Sequence, residues 1–178
     1  MKILNLFFHP NYKNSRVNKA LITGLDSDIE VRNMYELYPD FKINVELEKK
    51  ILEEFDRIIL QFPMYWYSSP ALLKQWEDSV LQYGWAYGHA GNALKNKELL
   101  IAVSPGANNY GADQFAQYTI HELLRPFQAT SHLIKMKYLT PFITIGASTI
   151  SDEELDKQVV KYNDYLHNNN LPILNYFE

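Results

Sequence analysis

The chain has no cysteine. That excludes a disulfide framework and any zinc or iron–sulfur site held by thiolates. Glycine is scarce, seven residues in 178, and none falls in a GxGxxG pattern, which counts against a Rossmann dinucleotide site. A Walker A loop and a GxSxG elbow are also missing, so P-loop and serine-hydrolase chemistry are set aside. No apolar run nears membrane-spanning length, and the opening residues Met1–Pro10 lack a signal-peptide layout. A cytoplasmic protein is therefore expected. A cationic excess is lacking: 17 Lys and Arg against 21 Asp and Glu leave a net charge of −4, which argues against a nucleic-acid partner. His9, His89, His121, His132 and His167 show no paired spacing with carboxylates, so no metal site is expected. There is no internal repeat or low-complexity tract.

What is present reads as one domain, residues 1–178, with a full core. Lys2–Phe8 is a short apolar run, expected as a central first strand, followed by turn chemistry at His9–Asn14. Ser15 is a good cap for a first helix. Asp28–Met34 reads as strand two, with a loop through Tyr38, Pro39 and Asp40. Val45–Phe55 places Leu47, Ile51, Leu52 and Phe55 at helical spacing. Strand four is Leu99–Val103, ending in a polar loop, Ser104–Gly111. Thr119 and Glu122 fit a capping box, opening a helix that should kink at Pro126. Tyr138–Ile145 reads as strand five. Ser151 opens a last helix to about Asn168, and Asn169–Glu178 reads as a surface tail. Strands alternate with helices, which predicts a doubly wound, flavodoxin-like α/β sheet of five parallel strands in the order 2-1-3-4-5, helices on both faces. The loops after strands one, three and four then meet at its carboxyl edge.

The most informative stretch is Gln61–Gly88. A buried strand ends at Pro63, and Met64, Tyr65, Trp66 and Tyr67 follow where a loop should be. Ser69 and Pro70 read as a helix start, with Leu72, Leu73, Trp76 and Val80 on one apolar face and Gly84 as the stop. Aromatic side chains at the end of a parallel strand suit a flat conjugated ligand; packing a subunit interface would use them equally well. In the first loop, Ser15, Arg16, Val17 and Asn18 open a helix whose free N–H groups and dipole favour a phosphate, with His9 at the same edge. An ordinary capped helix with a surface Arg has the same sequence. Tyr83, Trp85 and Tyr87 lie within five residues, more aromatic area than a lone domain of this type has core positions for.

Together these blocks resemble the flavodoxin-like NAD(P)H:quinone oxidoreductases, closest to short bacterial members that include the ancillary flavoprotein subunits of glutathione-gated potassium efflux systems. The segments are Gln61–Gly88, His9–Leu21, Val31–Phe41 and His121–Phe142. The resemblance implies a cytoplasmic homodimer with a flavin in each crevice, FMN or alternatively FAD. Two electrons would pass from NAD(P)H to a quinone-like acceptor by a ping-pong mechanism. A regulatory subunit bound to a membrane transporter is the alternative. It implies that His9 and Ser15–Asn18 hold the phosphate, and that Met64, Tyr65, Trp66 and Tyr67 line the ring, largely through backbone groups. Ser104, Pro105, Gly106 and Ala107 would flank the other edge, and Trp66 and Tyr87 would form the substrate pocket. Tyr110 matches a Tyr that steadies the reduced ring in relatives; Gln117 stands where they carry a His, with His121 one turn further on. Pro105 departs from the family's TTGG loop and cannot donate an N–H.

Overall fold

The structure, a computed structural model, describes residues 1–175. In chain order the elements are β1 (Ile3–Phe7), α1 (Arg16–Thr23), β2 (Ile29–Asn33), α2 (Met34–Leu37), α3 (Val45–Glu54), β3 (Arg57–Pro63) and α4 (Ala71–Val80). Then follow β4 (Glu98–Ser104), α5 (Ile120–Leu123), α6 (Arg125–Leu133), β5 (Lys137–Tyr138), β6 (Phe142–Ile143) and α7 (Asp152–His167). The sheet runs β2-β1-β3-β4-β5, with β6 also on β4, and every pairing of these strands is parallel. The flavodoxin-like order expected from the alternation is the order found. Strand side chains alternate between two buried faces. Leu4, Leu6, Ile58, Leu60, Phe62, Ile101 and Val103 join the core shared with α3, α4 and α6. Ile3, Ile59, Leu100 and Ala102 join the one shared with α1 and α7.

Four local expectations change. The last strand is split: β5 and β6 are separated by Leu139–Pro141, because Pro141 has no N–H to give a ladder. The tail is not a free surface segment as far as it is described. Leu171 is buried, Thr140 N–H donates to Pro172 O at 2.9 Å and Leu174 N–H to Tyr138 O at 2.8 Å. The tail thus covers the exposed edge of β5; its residues 176–178 lie outside the described residues. Ser69 does not cap α4. Pro70 holds that position without a side-chain bond, and the Tyr35 hydroxyl accepts from Leu72 N–H at 3.3 Å. Nor does Gly84 end the helix, which closes at Val80; Gly84 turns the chain beyond it at φ +83°. The capping box at Thr119 is formed in both directions, and the helix after it breaks into α5 and α6 at Leu124, just before Pro126.

Two buried charges lock the layers. Glu48 is fully buried and accepts from Arg32 Nη2 (2.5 Å), the Tyr38 hydroxyl (2.7 Å) and Trp76 Nε1 (3.0 Å), joining β2, α3 and α4. Burial and that carboxylate push the Tyr38 phenol up to about 12. Arg57, also fully buried, pairs with Glu98 at 2.7 Å and donates to the carbonyls of Leu166 (2.6 Å) and Asn168 (2.9 Å), closing the end of α7. Arg57→Met strands those carbonyls and should cost about 3–5 kcal/mol. Urea unfolding should show this as a lower midpoint with an unchanged slope.

Candidate functional site

β1 leads out to β2, and the chain then crosses back to β3, so the loops after β1 and β3 diverge and leave a crevice between them. Its volume is about 210 Å³. The structure brings His9, Ser15, Arg16, Val17, Asn18, Met64, Tyr65, Ser104 and Gly106 together around it, all expected there, and adds Pro63, Ala147 and Ser148. The last two were missed. They arrive because the carbonyls of Pro105, Gly106 and Ala107 accept from the N–H groups of Ala147 (2.9 Å), Ser148 (3.1 Å) and Gly146 (3.0 Å). This is non-local pairing with no sequence signal, and it makes the loop after β4 a fixed wall. A Cβ on Gly106 would lie 2.9 Å from Ser148 Oγ, so the backbone packs closely there. Pro105 is buried and Ala107 exposed, both beside the crevice wall.

At one end, Ser15 caps α1 by accepting from Asn18 N–H at 3.2 Å. The N–H groups of Arg16 and Val17 have no intrahelical acceptor and face this end, a donor set that fits a phosphate. Two side chains expected to add to it are turned elsewhere. Arg16 holds Asp152 and the Ile150 carbonyl, tying α1 to α7. Asn18 is buried, its Nδ2 donating to Ser104 Oγ at 2.7 Å. His9 is buried at 8% exposure, and burial holds its imidazole below the usual range. Asn11 N–H donates to Nδ1 at 3.0 Å, so the proton of the neutral ring sits on Nε2.

The aromatic loop is a two-residue turn. Tyr65 N–H and Ser68 O lie 3.0 Å apart, Ser68 N–H and Tyr65 O 2.9 Å apart, and the central residues Trp66 and Tyr67 have φ of 49° and 62°. Such a turn is normally Asn-Gly; two bulky aromatics in the left-handed region are strained. Met64 and Tyr65 N–H groups are engaged within the chain; among the described residues those of Trp66 and Tyr67 donate to no backbone acceptor, and these two residues stand beside the crevice without lining it. Trp66 is 94% exposed, an unusual position for an indole. Tyr110 stands edge-on to Tyr67 at 6.4 Å, its phenol raised by burial. Gln117 is exposed, at φ 57°, and lines no part of the crevice.

Tyr87 lies elsewhere: it lines a groove of about 380 Å³ between α4 and α6 that starts at Ser68. Trp85 is held within its own chain, Nε1 donating to Glu53 at 2.7 Å under Lys49, whereas Tyr83 is 71% exposed. Glu77, half-buried in that groove, has its carboxyl pushed up to about 7 by burial. Asp26, Asp28 and His167 bring three ligand-type atoms within 4.8 Å at the opposite edge of the sheet, where His167 pairs with Asp28 at 3.1 Å. Among the described residues no helix is long and apolar enough to cross a membrane.

A family model described as a flavodoxin-like fold matches residues 1–166. The chain belongs to this family. It is 48% identical to a Bacillus subtilis protein named uncharacterized NAD(P)H oxidoreductase YrkL, over 93% of this chain and 98% of that one. It is 39% identical to the glutathione-regulated potassium-efflux system ancillary protein KefF of an Enterobacter species, over 92% and 94%. Among solved structures, a general stress protein 14 from Treponema denticola in complex with FMN has a TM-score of 0.87 at 37% identity, covering 93% of this chain and 98% of that one. An NADPH-quinone reductase from P. pentosaceus has a TM-score of 0.83 at 35% identity, covering 94% and 99%.

Two outcomes follow from the geometry. Replacing Trp66-Tyr67 by Asn-Gly relieves the turn and should raise the stability of the protein by about 1–3 kcal/mol, read in thermal melts. Glu77 binds its proton more tightly folded than unfolded. It therefore favours folding below pH 4.5, and that contribution is lost as pH rises to about 7. Glu77→Gln should raise the melting temperature at pH 8 relative to wild type and change it least at pH 5.

Proposed function

We propose that the chain binds FMN in the crevice and oxidises NAD(P)H, passing both electrons to a quinone-like acceptor by a ping-pong mechanism. The observation that carries this is one crevice lined by both a phosphate-ready helix terminus, Ser15–Asn18, and the start of the aromatic turn, Met64 and Tyr65, with the strained Trp66 and Tyr67 next in the chain. The donor set fits the group. Ser15 and the Arg16 and Val17 N–H groups would hold the phosphate, and His9 would add an Nε2–H donor. Met64, Tyr65, Trp66 and Tyr67 would line the ring, with Tyr110 closing the outer side. Bound flavin would supply hydride acceptance and donation; the chain would supply its position and the hydrogen-bond donors around it. FAD is the other candidate, because a phosphate end open to solvent accommodates an adenylate beyond it. The names NAD(P)H oxidoreductase and NADPH-quinone reductase on close relatives support the reaction class. Neither Gln117 nor Tyr110 lines the crevice itself; Tyr110, edge-on to Tyr67, is the residue proposed to steady the reduced ring.

The active form is proposed to be a dimer. Tyr87 lies in the α4–α6 groove rather than over its own crevice, so it would serve the partner's, and Tyr83 would be covered in the same contact. A second reading, a flavin-binding regulatory subunit of a potassium-efflux transporter, is favoured only by the likeness to KefF. An efflux transporter encoded beside this chain and activated by adding it would support that reading.

Steady-state kinetics test the proposal. Varying NAD(P)H and a small quinone should give parallel lines in double-reciprocal plots; intersecting lines would contradict one shared slot. Tyr87→Phe should keep flavin and dimer and slow quinone turnover modestly.

A further inference from the structure

Beneath the crevice runs a line of buried polar side chains that the sheet does not need for its own ladder. Asn5, on β1, donates through Nδ2 to Gln61 Oε1 (2.7 Å) and to the Tyr162 hydroxyl (3.1 Å). Tyr162, on α7, donates to the same Gln61 Oε1 (2.9 Å). Gln61, on β3, donates through Nε2 to Asn18 Oδ1; at 3.4 Å this is the longest link. Asn18, on α1, donates through Nδ2 to Ser104 Oγ at 2.7 Å. Every member is at most 4% exposed. Buried polar groups in a sheet of this apolarity cost stability unless each is satisfied.

The line has a direction. Gln61 and Asn18 each present their acceptor to the member before them and their donor to the member after, and Asn5 starts the line with its donor. Turning all three amides over would reverse every bond and still close the chain. That reversal has a worse consequence at its far end. As drawn, the one buried atom left without a partner in the line is Asn5 Oδ1. Reversed, the Asn5 amide nitrogen would occupy that place, with two N–H groups unpaired. Buried orphan N–H groups are rarer than under-satisfied carbonyl oxygens. The hydrogen bonds therefore run from Asn5 and Tyr162 toward Ser104.

Ser104 is where they end. Its Oγ accepts from Asn18, and among the described residues it donates to no acceptor. Ser104 lines the crevice, so its hydroxyl proton has the crevice as its open direction. The next residue, Pro105, has no N–H. We infer that the Asn5–Tyr162–Gln61–Asn18 line is a positioning relay that holds the Ser104 hydroxyl as a hydrogen-bond donor toward the bound flavin, in place of the backbone donor that Pro105 lacks. The inference rests on the flavin reading of the crevice. Ser104 is the contacting residue; Gln61 does not line the crevice and acts only through Asn18.

Flavin titration of the apoprotein, followed by fluorescence quenching, tests it. Wild type should bind FMN; if it does not, the flavin reading fails before the relay is reached. Given binding, Ser104→Ala should weaken it about tenfold, the loss of one hydrogen bond of roughly 1.4 kcal/mol. Ser104→Thr, which keeps the hydroxyl, should restore most of the affinity. Gln61→Met, remote from the ligand, should weaken binding less, and should weaken it no further when added to Ser104→Ala. Tyr162→Phe provides the same comparison if Gln61→Met fails to fold. Two results overturn the inference: unchanged affinity in Ser104→Ala, or remote and Ser104 effects that multiply independently.

Discussion

The reversal of strand order between β1 and β3 is the constraint on which the rest of the site depends. Because the chain goes out to β2 and returns past β1 to β3, the loops at these two carboxyl ends turn to opposite faces. Neither loop can fill the gap between them. The N-terminus of α1, the aromatic turn after β3 and the wall after β4 are then delivered to one crevice by topology, where Ser104 joins them by accepting from Asn18 and from Met64 N–H. The chemistry of the site follows from what each brings: unpaired N–H groups, exposed rings and a close-packed backbone.

The two buried charges and the polar line under the crevice serve this arrangement in different ways. Glu48 and Arg57 fasten helices to the sheet away from the site, at positions where a lone charge would be intolerable and a fully bonded one is not. The line ending at Ser104 enters the site itself. The strained Trp66-Tyr67 turn is the other local departure from ease, a cost in conformational energy at the place where rings are presented to solvent. Departures of this kind concentrate where a fold does something besides fold.

The strand order was legible from alternation alone, because parallel strands and amphipathic helices carry strong periodic signals. Most of the crevice was legible too, since His9, Met64 and Tyr65 follow strand ends and Ser15 is a helix cap. What sequence could not convey was long-range pairing. Glu48 reads as one of several charges on a polar helix face, and only the packing of Trp76 and Tyr38 shows it to be buried. Asn18 looks like a ligand donor until Ser104, 86 residues away, claims its amide. Ala147 and Ser148 carry no chemistry that marks them as crevice residues. Ser69 and Gly84 have the right residue types for helix ends, yet tertiary contacts set the boundaries one residue later and four residues earlier.

The central claim is that this crevice holds a flavin mononucleotide. The absorption spectrum of the purified protein, with mass analysis of whatever heat releases from it, tests that claim most directly. The account predicts flavin absorption and released FMN, or uptake of one FMN per chain by protein purified without it. A colourless protein that takes up neither FMN nor FAD in titration would contradict it.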